Sequence, residues 1–509
     1  MTQISFLEYL SMSKPKRAWY KFYSFILNIP FAILAFLKAI PTKIWGLLKK
    51  IGGWCMSFIN ALRYGNAATR LSLPIWGAGC FTHKQIGRGI IYLGYEILFI
   101  VYMILFGVPY LSKIDTLGDT LQVRDELGFV IMEGDNSFNI LLYSMLTIVI
   151  IAFSAVIMVK SVKDAYNGQL GKAIAMRSPT LRDDASQLLN HKFHITILSL
   201  PMTTLAIFTI VPLMFMLLVA FTNFNRNTLP PANLFTWVGF DNFASMLTGE
   251  AMGGTAQDAA RWSYTFWHIL SWTLTWAVIA TFSNLFIGMG LAVLINKKSI
   301  KLKKFWRTCL VTVIAVPQFI SLLLVSKMFR DEGIINTILR NVFNLTEPVK
   351  FLNGTTSMAK WIIILVNVWV GVPYTVLSCT GILLNIPSDL YEAARIDGAN
   401  PFKMFTKITF PYMMFILGPS LIGTFVGNIN NFNIIFLLTG GQSGTMDPNL
   451  ATSAGDLDLL ITWLYKLTVN NSQYDMASVI GIMVFIVVAF FSLVVYSRLG
   501  AVKNEEDFQ

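Results

Sequence analysis

Eight apolar segments, each long enough to cross a bilayer as a helix, divide this 509-residue chain and leave few architectures open to it. A helix rises 1.5 Å per residue, so about 20 apolar residues match the hydrocarbon core of a membrane. Such segments run near 88–112, 138–160, 194–221, 268–296, 306–328, 360–385, 412–438 and 476–498. Backbone polar groups in hydrocarbon must be paired within the segment, which selects helix for spans of this length. The expected fold is therefore an all-α polytopic membrane protein with about eight transmembrane helices. Charge content agrees, because only 13% of residues are Asp, Glu, Lys or Arg. A soluble protein carries about 25%. A ninth stretch, 22–41, is shorter, contains Pro30 and runs into the basic segment Lys38 to Lys50, with Trp45 and Trp54 nearby. It reads as an amphipathic helix lying in the interface, and no small-residue cleavage site follows to make it a signal peptide.

The net charge of +12 raises the question of nucleic acid, but the basic residues lie between apolar segments. With the N-terminus inside, 29 Lys and Arg fall on the inner side and 10 on the outer. The densest group, Lys297, Lys298, Lys301, Lys303, Lys304 and Arg307, sits in one short inner loop, where positive charge is most informative about topology. Membrane orientation explains this placement and a nucleic-acid partner does not. Both termini are expected on the cytoplasmic side, with lipid as the surrounding partner. Four regions follow: a basic leader, 1–87; two spans with a linker, 88–190; six spans, 194–500; and a tail, 501–509.

No catalytic constellation is legible. The nearest string to a phosphate loop, Gly168-Gln-Leu-Gly171-Lys172, lacks the spacing and the Ser or Thr that a Mg²⁺-bound nucleotide requires. His83, His191, His194 and His268 form no ligand pair with an acidic neighbour, and Cys55, Cys80, Cys309 and Cys379 have no metal-binding spacing. No Gly-x-Ser-x-Gly nucleophile element occurs. The expectation is a chain that is not an enzyme and binds neither metal nor cofactor.

The loop between the sixth and seventh segments carries the most chemistry. Pro387-Ser388-Asp389 is a helix-start signal, Leu390 to Asp397 makes about two turns, and Gly398 can end them in a left-handed conformation. Asn400 and Pro401 then fit the cap and first turn of a second helix, with Phe402, Phe405 and Ile408 at i, i+3 and i+6. Pro411 is expected to separate that helix from the next span. The product is a helix–turn–helix knob on the basic side of the membrane. Its string, Glu392-Ala393-Ala394-Arg395-Ile396-Asp397-Gly398-Ala399, with Ile408 and Pro411, resembles the EAA loop of bacterial binding-protein-dependent ABC importer permeases. Asp397 to Ala399 is the form typical of carbohydrate permeases. The resemblance implies a six-helix type I permease core over 194–500, with Glu392, Ala393, Ala394, Asp397, Gly398, Ile408 and Pro411 coupling it to an ATPase. It also implies that ATP and Mg reside on two separate cytoplasmic ATPase subunits. A second permease subunit, forming a heterodimer, and an extracellular sugar-binding protein complete the implied partners.

Within the spans, Thr424, Asn428 and Asn431 recur at i, i+4 and i+7 and are expected to share one helical face. Polar groups are unfavourable against lipid, so this face must look at protein or a water-filled path. Gly371 and Pro373 are expected to weaken the sixth helix beside Tyr374 and free backbone groups to line a cavity. Amides beside an aromatic ring suit a sugar, and interhelical packing accounts for the same residues. The wider text, Trp369 to Tyr374 and Asn428 to Phe432, resembles the larger membrane subunit of maltose-type importers from about residue 194 onward. That resemblance carries contacts to an oligosaccharide, maltose- or maltodextrin-like, onto Tyr374, Gly371, Asn428 and Asn431, and more weakly onto Thr424 and Gly427. Gly427 stands where the enterobacterial sequence has Phe, and the segment 222–267 is shorter than its folded insert, so cargo and binding-protein contacts are expected to differ. A different sugar or sugar derivative stays open as cargo. A secondary transporter would need coupled acids in the spans, for which Glu96 is the candidate; snorkelling or a structural hydrogen bond is the expected role.

Overall fold

The computed structural model describes residues 45, 46, 49 and 52–496, except 175–177, 251–255, 298, 353, 355, 442–448 and 452–453. The expected interfacial helix at 22–41 and the tail lie outside the described residues. Among the described residues, seven helical rods are long and apolar enough to span: Ile86–Leu111, Ser137–Ala173, Phe193–Val219, Ala256–Asn296, Thr356–Leu384, Pro401–Thr439 and Tyr474–Val495. They overlap seven of the eight expected segments and are hereafter the first to fourth and sixth to eighth spans. The fifth is a broken pair, Lys303–Ala315 and Gln318–Met328, bent by 88°. Val316 is extended and Pro317 follows it, as expected where a proline ring disfavours helix in the preceding residue.

Other prolines do not break their helices. Three π-helical turns, Met103–Gly107, Ala206–Ile210 and Phe405–Thr409, each end two residues before a proline, at Pro109, Pro212 and Pro411. A proline clashes with the carbonyl four residues earlier and offers it no hydrogen. Widening the preceding turn relieves that conflict and lets the rod continue. Pro411 therefore does not separate the loop's second helix from the seventh span; the two are one rod through Ile429. Likewise Gly371 and Pro373 sit inside an unbroken helix, Thr356–Leu384, so the expected weakening of the sixth span does not occur.

The chain divides into two compact units, Met1–Gly239 and Phe240–Gln509, with the third span in the first of them. In the first unit the leader is fastened to the first two spans. Trp76 stacks on Tyr95 and Phe99 at 6.0 and 5.8 Å. Its backbone N–H donates to Glu96 Oε2 at 2.8 Å, and Gly77 N–H donates to Ser161 Oγ at 2.7 Å. Glu96 is thus a buried acceptor for a loop amide, which is the structural role expected for it. Gly77 has φ +84°, and a Cβ there would lie 2.8 Å from the Gly89 carbonyl oxygen, so close crossing and backbone conformation both require glycine.

In the second unit the fourth and sixth spans form the central pair. A Cβ on Gly371 would overlap Asn284 Nδ2, and one on Gly288 would lie 2.6 Å from Thr375 Cβ. Small residues at these two crossings let the backbones approach. The core of this unit includes Trp276, Ile363, Ile435, Leu457 and Leu459, all fully buried. The C-terminal end of the fourth span is closed by cations: Lys303 Nζ donates to the Asn296 carbonyl at 3.1 Å and Arg307 donates to its side chain. Basic groups at a helix C-terminus complement its dipole.

Candidate translocation and coupling site

The loop between the sixth and seventh spans forms as its sequence dictates, with one change at its end. Its first helix is Ser388–Ile396, with Asp389 in the first turn. Gly398, at φ +72°, ends it: Gly398 N–H donates to the Arg395 carbonyl at 3.0 Å and Ala399 N–H to the Ala394 carbonyl at 2.9 Å. This paired bonding is a Schellman cap, which needs the left-handed residue that glycine supplies most readily. Asn400 then caps the second helix, its Oδ1 accepting from Lys403 N–H at 2.8 Å, with Pro401 in the first turn. Tyr391 and Thr409 hydroxyls are 2.8 Å apart and tie the two arms together. Phe405 and Ile408 turn partly inward while Phe402 stays exposed, so the expected apolar stripe divides between core and surface.

Glu392, Ala393, Asp397 and Gly398 are exposed on the knob, and Ala394 is half-buried. Two large apolar side chains stand beside them, Ile396 at 87% exposure and Phe402 at 74%. Helical spacing does not single out Ile396; its place next to the cap, outside any apolar period, is the signal that marks it. Exposed apolar groups on a loop that leaves the membrane suit a protein partner better than water.

The expected polar face of the seventh span is rearranged. Its helix ends at Ile429, and Asn431 begins a new helix, Phe432–Thr439, accepting at its Oδ1 from Ile434 N–H at 3.4 Å. Thr424, Asn428 and Asn431 do not share a face. Asn428 is buried, donating from Nδ2 to Thr281 Oγ1 at 2.9 Å while its carbonyl accepts from Trp276 Nε1 at 3.1 Å. Gly371 likewise packs against the fourth span. Asn284 Oδ1 and Asn367 Nδ2, both buried near this crossing, have no hydrogen-bond partner among the described residues.

A different stripe is open. Pro419, Ser420, Gly423, Thr424, Gly427 and Asn430 recur on one exposed side of the seventh span. The Thr424 hydroxyl bonds only its own helix, at the Ser420 carbonyl, and a Cβ at Gly423 or Gly427 would meet open space. Tyr374, 52% exposed on the sixth span, has no hydrogen-bond partner among the described residues. Asn431 is half-buried at the break. The seventh span thus offers hydroxyl and amide groups on a narrow, small-residue surface, and Tyr374 offers an exposed ring on the sixth; the helical rod that carries the stripe begins at the loop's second helix.

A family model described as a binding-protein-dependent transport system inner membrane component matches residues 284–502. The maltodextrin transport system permease protein MalC of Streptococcus pneumoniae is 33% identical over 463 residues, covering 89% of this chain and 100% of that protein. The galactooligosaccharides transport system permease protein GanP of Bacillus subtilis is 31% identical over 449 residues, covering 87% and 100%. The maltose/maltodextrin transport system permease protein MalF of Escherichia coli is 34% identical over 276 residues, covering 53% and 51%. With the helical spans and the capped loop already in place, these likenesses give the conclusion: the chain belongs to the binding-protein-dependent transport permeases, as a multi-pass membrane component of a bacterial ABC importer.

Proposed function

We propose that this chain is the translocation subunit for an oligosaccharide of the maltose or maltodextrin type, handed over by an extracellular binding protein. The observation that carries the reading is the exposed stripe Pro419, Ser420, Gly423, Thr424, Gly427 and Asn430 on the seventh span. A lipid-facing helix has no reason to display serine, threonine and asparagine on one side, because each is unfavourable in hydrocarbon. A water-filled path shared with a second permease subunit explains it. We assign Tyr374, Thr424, Gly427 and Asn431 to the path, where hydroxyls and an amide meet sugar hydroxyls and the ring meets a sugar face. Gly371 and Asn428 hold its wall by fixing the sixth and seventh spans against the fourth. The cargo class is supported by the names of the maltodextrin relatives. The galactooligosaccharide relative supports a second reading, a different oligosaccharide.

The same proposal assigns Glu392, Ala393, Ala394, Asp397, Gly398, Ile408 and Pro411 to coupling with one of two ATPase subunits, which bind ATP and Mg. Both termini are cytoplasmic in this orientation. Proteoliposomes containing the copurified importer and its binding protein provide the test. Tyr374→Ala and Asn431→Ala should abolish maltotriose uptake while the ATPase subunits remain associated. Normal maltotriose uptake by both variants would refute the path assignment; uptake of galactooligosaccharide alone by the unmodified importer would select the second reading.

A further inference from the structure

A cavity of about 500 Å³ opens among the start of the first span, the second span where its apolar run gives way to Lys160 and Asp164, the connecting helix Leu181–Leu189 and the start of the third span. Each of these spans brings one cation to it: Arg88 from the first, Lys160 from the second and Lys192 just before the third. Arg88 is already committed, since its guanidinium donates to both Asp184 oxygens at 2.7 and 2.5 Å. The other carboxylate, Asp164, accepts from the Tyr92 hydroxyl at 2.6 Å. Lys160 and Lys192 are exposed, and neither forms an ion pair among the described residues. The rest of the wall carries the exposed apolar side chains of Ile91, Leu181 and Leu188, with Ala185 and Gln187 beside them.

We propose that this cavity holds the phosphate-bearing headgroup of an anionic phospholipid, with its glycerol and upper acyl carbons against Ile91, Leu181 and Leu188. Two ammonium groups outside any ion pair, of which Lys160 also feels the Asp184 carboxylate, supply the charge that a phosphodiester needs, and they stand where the apolar runs of their spans stop, at headgroup depth. A small soluble phosphate would use the cations and leave the apolar wall without purpose. An amphiphile uses both. The bidentate Arg88–Asp184 pair joins the first span to the connecting helix, so it fixes the cavity's shape and leaves the two lysines for the ligand. The site is independent of the cargo and of the coupling loop.

The test uses the full-length chain with its copurifying partners in a detergent that lacks a maltoside headgroup. Phosphatidylglycerol should raise the melting temperature above that in phosphatidylcholine, and native mass spectra should show retained phosphatidylglycerol. Lys160→Gln with Lys192→Gln should remove both effects, while Arg182→Gln, a charge loss on the same connecting helix, should keep them. If the double variant fails to fold, each single variant should reduce lipid retention. Retention of phosphatidylglycerol by the lysine variants at the unmodified level would overturn the proposal. So would an equal stabilisation by inorganic phosphate alone, which would make the site one for free anions.

Discussion

Replacing Gly398 tests whether backbone geometry at the loop's turn is what engages the ATPase. Gly398 holds φ +72°, and a Cβ added there meets nothing within 4 Å. The effect of a side chain within this chain is therefore purely conformational. A left-handed conformation costs an L-residue about 1–2 kcal/mol, less for Asn and more for a β-branched residue. That energy must come from the Schellman cap, whose bonds from Gly398 and Ala399 set the angle between the loop's two arms. A penalty of about 1–2 kcal/mol lowers the population of the capped turn about 5- to 30-fold relative to competing turns. Apparent affinity for the partner falls by the same factor where only the capped form binds. The assay is titration of purified ATPase subunit onto permease variants in nanodiscs, with sugar-stimulated ATP hydrolysis as a second readout. Affinity should fall in the order Gly, Asn, Ala, Val. Equal binding across the series would refute a role for the cap. Asn as damaging as Val would refute the backbone argument and point instead to a steric clash at the partner's surface.

Two further predictions concern stability. Gly371→Ala forces a methyl group into Asn284 Nδ2 and should destabilise the chain by about 1–3 kcal/mol, read as a lower melting temperature. Pairing it with Asn284→Ala should recover most of that loss, and failure to recover would show that another contact enforces glycine. Burial pushes the Asp135 carboxyl up, but hydrogen bonds from Lys113, Asp119 and Thr120 outweigh it and hold the group well below its ordinary 3.8. A depressed folded value means that the stabilisation is present above the unfolded pKa and lost as pH falls below about 3.8 toward the folded one. Asp135→Asn should flatten that acid limb in melting curves; an unchanged limb would refute the linkage.

Local chemistry made most of the architecture readable. Apolar length located all eight segments, because transfer into hydrocarbon is set residue by residue. The loop's cap was legible for the same reason: Gly398, Asn400 and Pro401 act through their own backbone conformation or that of residues within three positions. Site residues were less readable. The spacing of Thr424, Asn428 and Asn431 assumed one uninterrupted helix, whereas the chain breaks after Ile429. Ser420, Gly423 and Asn430 form the open stripe with Thr424, yet small residues carry little signal until a helix is seen to leave them uncovered.

By itself, then, the sequence determined the position of the apolar segments and the capped turn at Gly398. Each depends on energies that a residue and its near neighbours supply. Tertiary structure decided what the prolines do: Pro317 breaks its span by 88°, Pro373 rides in a continuous helix, and Pro411 is absorbed by a widened turn. It also decided which polar groups are used up. Asn428 meets Thr281 across 147 residues and Glu96 meets the Trp76 amide across 20. A buried polar group takes whichever partner the packing brings within reach, and that choice belongs to the assembled helices.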